Sequence, residues 1–170
     1  MTETKNDTKE STQDGNSQLK LHRIFTKNSL FEAATLTPAL LENPPQPTID
    51  LQVYANAYVQ DKSTHEAVLT LNITAKHNGA LLWKVQLQQA GLYTLENFSE
   101  EQQKTVLNGF CMNQLYPYAC AVVTQLVTQG GFLPVHLQPM NFEQLYREQQ
   151  STSLQTNETT DKEFPCHQSL

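Results

Sequence analysis

The sequence predicts an α+β fold, four strands followed by three helices, and two observations carry that expectation. Between residues 49 and 87 apolar side chains recur at every second position, which is the period of a half-buried strand. Beyond residue 99 the pattern changes to helix starts with capping residues and apolar positions at helical spacing. Strands first and helices after is the order of an α+β plan, and 170 residues suit one domain with a real core.

The first strand falls within 19–33, where Ile24, Phe25, Leu30 and Phe31 put apolar residues on both faces, so it is expected to bend or carry a bulge. Pro38, Pro44, Pro45 and Pro47 exclude a helix or central strand over 37–47, which becomes a crossover loop with Leu40 and Leu41 as its apolar contacts. Ile49, Leu51, Val53, Ala55, Ala57 and Val59 alternate with polar or tyrosine positions and define the second strand. Ala67, Leu69, Leu71, Ile73 and Ala75 define the third, with Val68 out of phase. Asn78-Gly79 suits the positive φ angles of a tight turn, and Leu81, Trp83, Val85 and Leu87 complete a hairpin.

Ser99, followed by Glu100, Glu101 and Gln102, starts a short helix running to about Phe110. A second helix spans 113–128, with Pro117 in its first turn and Gly130-Gly131 as its stop. Its stretch 118–123 is apolar at six consecutive positions, so either the helix is central or another subunit covers its outer side. Asn141 caps a last helix that sets Phe142, Leu145 and Tyr146 on one stripe.

Residues 1–18 and 151–170 are polar without apolar period, so they read as tails flanking a folded domain at 19–150. The first eighteen residues lack the apolar core of a signal peptide and no run could span a bilayer, which predicts a cytosolic protein with no direct membrane insertion. A net charge of −6 and the lack of a Lys/Arg cluster argue against nucleic acid. Cys111, Cys120 and Cys166 fit reduced thiols, two packed and one in a tail.

No phosphate loop, paired metal-ligand spacing or nucleophile elbow is present, so no enzyme activity, metal or cofactor is expected. Glu100-Glu101 reads as acids complementing a helix dipole, and Cys166-His167 supplies too few ligands for zinc. An enzyme centred on Tyr116, Tyr118 and Cys120 would need a histidine and a carboxylate gathered around Cys120. The apolar residues in loops and short elements, Leu40, Leu41, Phe132, Leu133, Phe142 and Tyr146, fit either core or the border of an apolar groove.

Five segments, Arg23-Ile-Phe-Thr-Lys27 with Phe31-Glu-Ala33, Gln88-Gln-Ala-Gly91, Leu115-Tyr-Pro-Tyr-Ala119, Gly130-Gly-Phe-Leu-Pro134 and Leu137-Gln-Pro-Met-Asn-Phe142, resemble in order and spacing the SecB export chaperones. The resemblance runs from about residue 21 to 147. It implies a four-stranded antiparallel sheet with helices packed on one side, assembled as a homotetramer, a dimer of dimers. It also implies an ATP-independent chaperone that binds unfolded precursor proteins in the cytosol and delivers them to the SecA ATPase for export.

By that resemblance the client groove maps to Leu40, Leu41, Leu51, Val53, Phe142, Leu145 and Tyr146. The SecA-facing patch maps to Glu32, Asn28 and Gln86, and the oligomer interface to Tyr118, Cys120, Val122, Val123, Val85 and Leu87. Three departures stand out. Pro45 occupies the place of a usual tryptophan, Asn28, Lys84 and Gln86 replace two acids and a leucine, and the tail holds Lys162 among Glu158, Asp161 and Glu163. The thinned acidic patch points to an alternative, a SecB-like chaperone dedicated to a single partner such as an antitoxin.

Overall fold

The computed structural model describes residues 16–35, 37, 44, 46–153 and 163–164. Four long strands, β1 (Gln18–Ala33), β2 (Thr48–Val59), β3 (Thr64–His77) and β4 (Ala80–Glu96), form an antiparallel sheet. A two-residue strand, β5 (Glu163–Phe164), pairs antiparallel with β2, so the sheet order is β1-β4-β3-β2-β5. The fifth strand adds to the four that the sequence predicts.

Bulges explain the double-faced first strand. The β1–β4 register slips between Leu21 and Arg23 and again between Thr26 and Asn28, leaving His22 and Lys27 as extra residues. Each slip resets the side-chain phase by one. Leu19, Ile24 and Phe31 thereby pack against the core, while Phe25 and Leu30 stay on the exposed face.

The β3–β4 hairpin turns at Asn78 (φ 50°) and Gly79 (φ 81°), as their types require. β4 runs nine residues past Leu87, where the sequence reading stopped, because Gln89 interrupts the apolar series on the core face. Buried Gln89 accepts a 3.1 Å hydrogen bond from the Thr26 hydroxyl, which lets a polar side chain sit there.

The helical layer covers one face of the sheet. α1 (Glu100–Thr105) starts at Ser99, whose hydroxyl accepts from the Gln102 amide while the Gln102 side chain accepts from the Ser99 amide, a complete capping box. A π-helical turn, Val106–Phe110, then leads without a break into α2 (Cys111–Gln129). The expected boundary before residue 113 is therefore absent, and Pro117 lies inside the helix instead of in its first turn. An interior proline removes one backbone bond at about 3 kcal/mol. Burial of Leu115, Tyr116 and Ala119 on either side of the exposed Pro117 holds the helix through it.

α2 ends in a Schellman motif: Phe132 N–H donates to the Val127 carbonyl at 3.2 Å, Gly131 N–H to Thr128 at 3.0 Å, and Gly131 takes φ 85°. The chain then returns along α2, tied by the Thr124 hydroxyl donating to Val135 O at 2.9 Å and the Tyr116 hydroxyl to Gln138 O at 2.7 Å. α3 (Phe142–Ser153) follows, with the Asn141 side chain accepting from Gln144 N–H.

The core lies between the sheet and α2. Leu51, Val53, Leu69, Leu71, Val85 and Leu87 meet Leu115, Ala119, Val123 and Val127 there. Gly91 leaves room for packed neighbours from both layers, since a Cβ at that position would stand 2.6 Å from Tyr93 Cε2 and 3.0 Å from Leu115 Cδ2.

Candidate functional site: a sheet edge, a cleft and an open helix face

β2 presents its apolar series to the helical layer, but the layer covers only part of it. Ile49, Leu51, Val53 and Ala55 are buried, whereas Ala57 and Val59 are exposed, Val59 at 73%. Where cover ends, a cleft of about 540 Å³ opens between β2 and the start of the helical layer. Ala55, Ala57, Val59 and Leu107 form apolar walls, and Glu100 and Lys104 line it from α1.

His65, the β3 partner of Val59, also lines this cleft. It is buried, its Nε2 has no hydrogen-bond partner, and burial lowers its pKa below the ordinary 6.5, so the ring is neutral near pH 7. The cleft escaped the sequence reading. Its signal was the continuation of the alternating series to Val59, with His65 in phase with the apolar residues of β3.

The predicted client residues fall unevenly around this region. Leu40 and Leu41 lie outside the described residues. Leu51, Val53, Phe142 and Tyr146 are at most 3% exposed and belong to the interior of the chain, while Leu145 is half-buried. α3 is held by its first residues. Phe142 packs edge-on to Tyr116 with centroids 5.5 Å apart, and its N–H donates to Asn113 Oδ1 at 3.0 Å. The π turn sits between β2 and α3, with Gly109 directly under Glu143.

Asn28, Glu32 and Gln86 come together on the sheet face away from the helices. In the β1–β4 register Asn28 pairs Gln88, Leu30 pairs Gln86 and Glu32 pairs Lys84. Lys84 Nζ lies 3.4 Å from Glu32 Oε2, so this carboxylate is ion-paired at the surface.

The six residues expected at an oligomer interface divide. Val85 and Leu87 on β4 and Val123 on the inner face of α2 are fully buried, Cys120 and Val122 are half-buried, and Tyr118 is 55% exposed. The six-residue apolar stretch thus has one face on the sheet and one face bare within the chain. Gln114, one turn before Tyr118, has a buried Oε1 without a hydrogen-bond partner.

The thiols do not gather chemistry. Burial pushes Cys111 up to about 12 and also raises Cys120, so neither is a thiolate near neutrality. Among the described residues no group of three His, Cys, Asp or Glu side chains could hold a metal, and no helix is long and apolar enough to cross a membrane. Cys166 and His167 lie outside the described residues.

A sheet edge paired over only two residues, a cleft of mixed polar and apolar lining beside it and an uncovered helix face suit the binding of other polypeptide chains. Comparison with known proteins names the kind. The model of the preprotein translocase subunit SecB matches residues 12–153. Protein-export protein SecB 2 of Francisella tularensis subsp. novicida is 32% identical over 132 residues, 78% of this chain and 89% of the relative. SecB 1 of Francisella tularensis subsp. tularensis matches to the same extent.

The chain belongs to the SecB family of protein-export chaperones. Its fold is shared by the Mycobacterium tuberculosis Rv1957 SecB-like chaperone, solved in complex with a ChAD peptide from the HigA1 antitoxin. That likeness has a TM-score of 0.62 at 15% identity and covers 72% of this chain and 91% of the other.

Proposed function

We propose that this protein is an ATP-independent holding chaperone of the cytosol that binds unfolded precursor proteins and passes them to the SecA ATPase. The single observation that carries this reading is the uncovered end of β2: an apolar strand face continuing past its helical cover beside an open cleft. Unfolded clients share no sequence, so their recognition rests on apolar burial, about 25 cal/mol per Å², with main-chain pairing at a strand edge. Leu145, half-buried on α3, extends that surface, and the resemblance to the family adds Leu40 and Leu41 of the crossover segment as client contacts. Leu51, Val53, Phe142 and Tyr146, buried in the resting chain, contribute when the helical layer opens over them.

The bare face of α2 supports assembly into a homotetramer, a dimer of dimers. Tyr118, Cys120 and Val122 form its apolar centre, and the orphaned Gln114 acceptor finds a donor across it. Val85 and Leu87 support that helix from the sheet, where Val123 on its inner face meets them. Four copies place several weak sites on one client chain, which raises avidity by factors on the order of 10² to 10⁴ without nucleotide.

SecA docking through Asn28, Glu32 and Gln86 proceeds against the ion pair from Lys84, which favours a second reading: a SecB-like chaperone dedicated to one partner. The deciding experiment has two parts. Light scattering of a refolding client, at several-fold excess of chaperone and without ATP, should fall; unchanged scattering rejects the holding function. Recovery of many envelope precursors from cells supports the export reading, and one dominant partner supports the dedicated reading.

A further inference from the structure

The two edges of the sheet are guarded differently. β1 carries Lys20, Arg23, Lys27 and Glu32 along sixteen residues and is broken by two bulges. These are the usual means by which an edge is made unfit for pairing. β2 has twelve residues, Thr48–Val59, a regular register with β3 throughout, Asp50 as its sole charged residue, and no lysine, proline or bulge. By the same physics β2 should accept any extended chain.

The described structure shows what occupies it. β5 pairs with the outer edge of β2, Phe164 opposite Val53 and Glu163 opposite Tyr54, and no other strand lies on that edge among the described residues. The tail is built for a short, reversible addition. Phe164 is the only aromatic residue after Tyr146, and Pro165 follows it directly, with no N–H to extend the ladder. Two paired residues are enough to select a register and too few to hold it against a longer strand.

We infer that the tail segment around Glu163–Phe164 is a resident occupant of the β2 edge and competes there with clients. This rests on the client-holding reading. It adds that the edge is filled in the resting chain, that a client must displace β5 to pair along β2, and that short polar segments fail to do so. A client strand gains pairing over up to twelve residues where the tail holds two, so exchange favours long unfolded chains. Apparent client affinity is then reduced by the fraction of time the edge is open.

The test uses the full chain with Phe164→Pro, which removes a donor inside β5, and Ser169→Pro as the control elsewhere in the tail. Hydrogen exchange of the segment containing residues 50–57 should speed up in Phe164→Pro and not in the control. Binding of a permanently unfolded, reduced and carboxymethylated model protein should tighten about two- to tenfold in Phe164→Pro. A synthetic peptide of residues 158–170, added in trans, should reverse that gain.

Unchanged exchange in Phe164→Pro overturns the pairing. Faster exchange with unchanged client affinity overturns the competition. A rise in oligomer mass in place of tighter client binding assigns the edge to a second copy and overturns the proposal. If neither form binds the unfolded protein, the holding reading fails and the competition with it, while the exchange result still reports whether the tail pairs with β2.

Discussion

The first half and the last third of β2 carry the same alternating pattern and meet different fates. Ile49, Leu51 and Val53 lie beneath the helical layer and are at most 5% exposed, while Ala57 and Val59 continue the series into open space. The difference teaches that alternation reports which side of a strand is apolar. What covers that side is decided by where other elements end.

Substitutions that treat the two ends alike should therefore give opposite results. Val53→Asp places an unpaired carboxylate in a fully buried site and should lower unfolding free energy by on the order of 4 kcal/mol or more, read by urea denaturation. If Val53→Asp is tolerated, the covered end is not a core.

Gly91→Ala tests the cover itself. The new Cβ would stand 2.6 Å from the Tyr93 ring and 3.0 Å from Leu115 Cδ2, so these buried side chains must give way, at about 1–3 kcal/mol and with a lower thermal midpoint. An unchanged midpoint would mean that helix and sheet are looser there than the geometry says.

His65 lies opposite Val59, at the open end. Burial lowers its pKa, so folded and unfolded states are both neutral above 6.5, and the contribution of this residue to stability is then at its fullest. As pH falls below 6.5 the unfolded chain takes up a proton first, and stability declines until the folded pKa is passed. Denaturation midpoints measured from pH 7 downward should fall more steeply in the parent than in His65→Gln.

Val59→Ser should shift stability by less than about 0.5 kcal/mol because the side chain is largely exposed, yet reduce suppression of client aggregation. Equal activity with a marked loss of stability would reverse the comparison and make the open end a structural element.

Much of the fold was legible from residues because local chemistry dictated it. Asn78-Gly79 turns where positive φ is needed, Ser99 and Gln102 close a capping box, and Gly131 ends α2. The sequence reading stopped β4 short because Gln89 breaks the apolar series, and only its distant partner Thr26 makes it acceptable in the core. Pro117 misled in the same way, since burial of its neighbours outweighs one missing backbone bond.

The site was less legible. Leu51, Val53, Phe142 and Tyr146 have the composition of a groove, but they satisfy one another inside the chain. The fifth strand left no periodic trace because two residues have no period. Only the company of Phe164 and Pro165 in a polar tail set them apart.

The π turn at Val106–Phe110 acts as a spacer in angle more than in length. One residue beyond a regular helical turn rotates everything before it by about 100° relative to everything after it. Glu100–Thr105 and Cys111–Gln129 are therefore two stripes out of phase on a single unbroken rod. Removing one residue from the turn would bring the stripes into line and turn Gln103 and Lys104 away from the cleft mouth, closing or widening it without altering any wall residue. The dimension of the opening beside β2 is thus set by how many residues the helix spends on one turn.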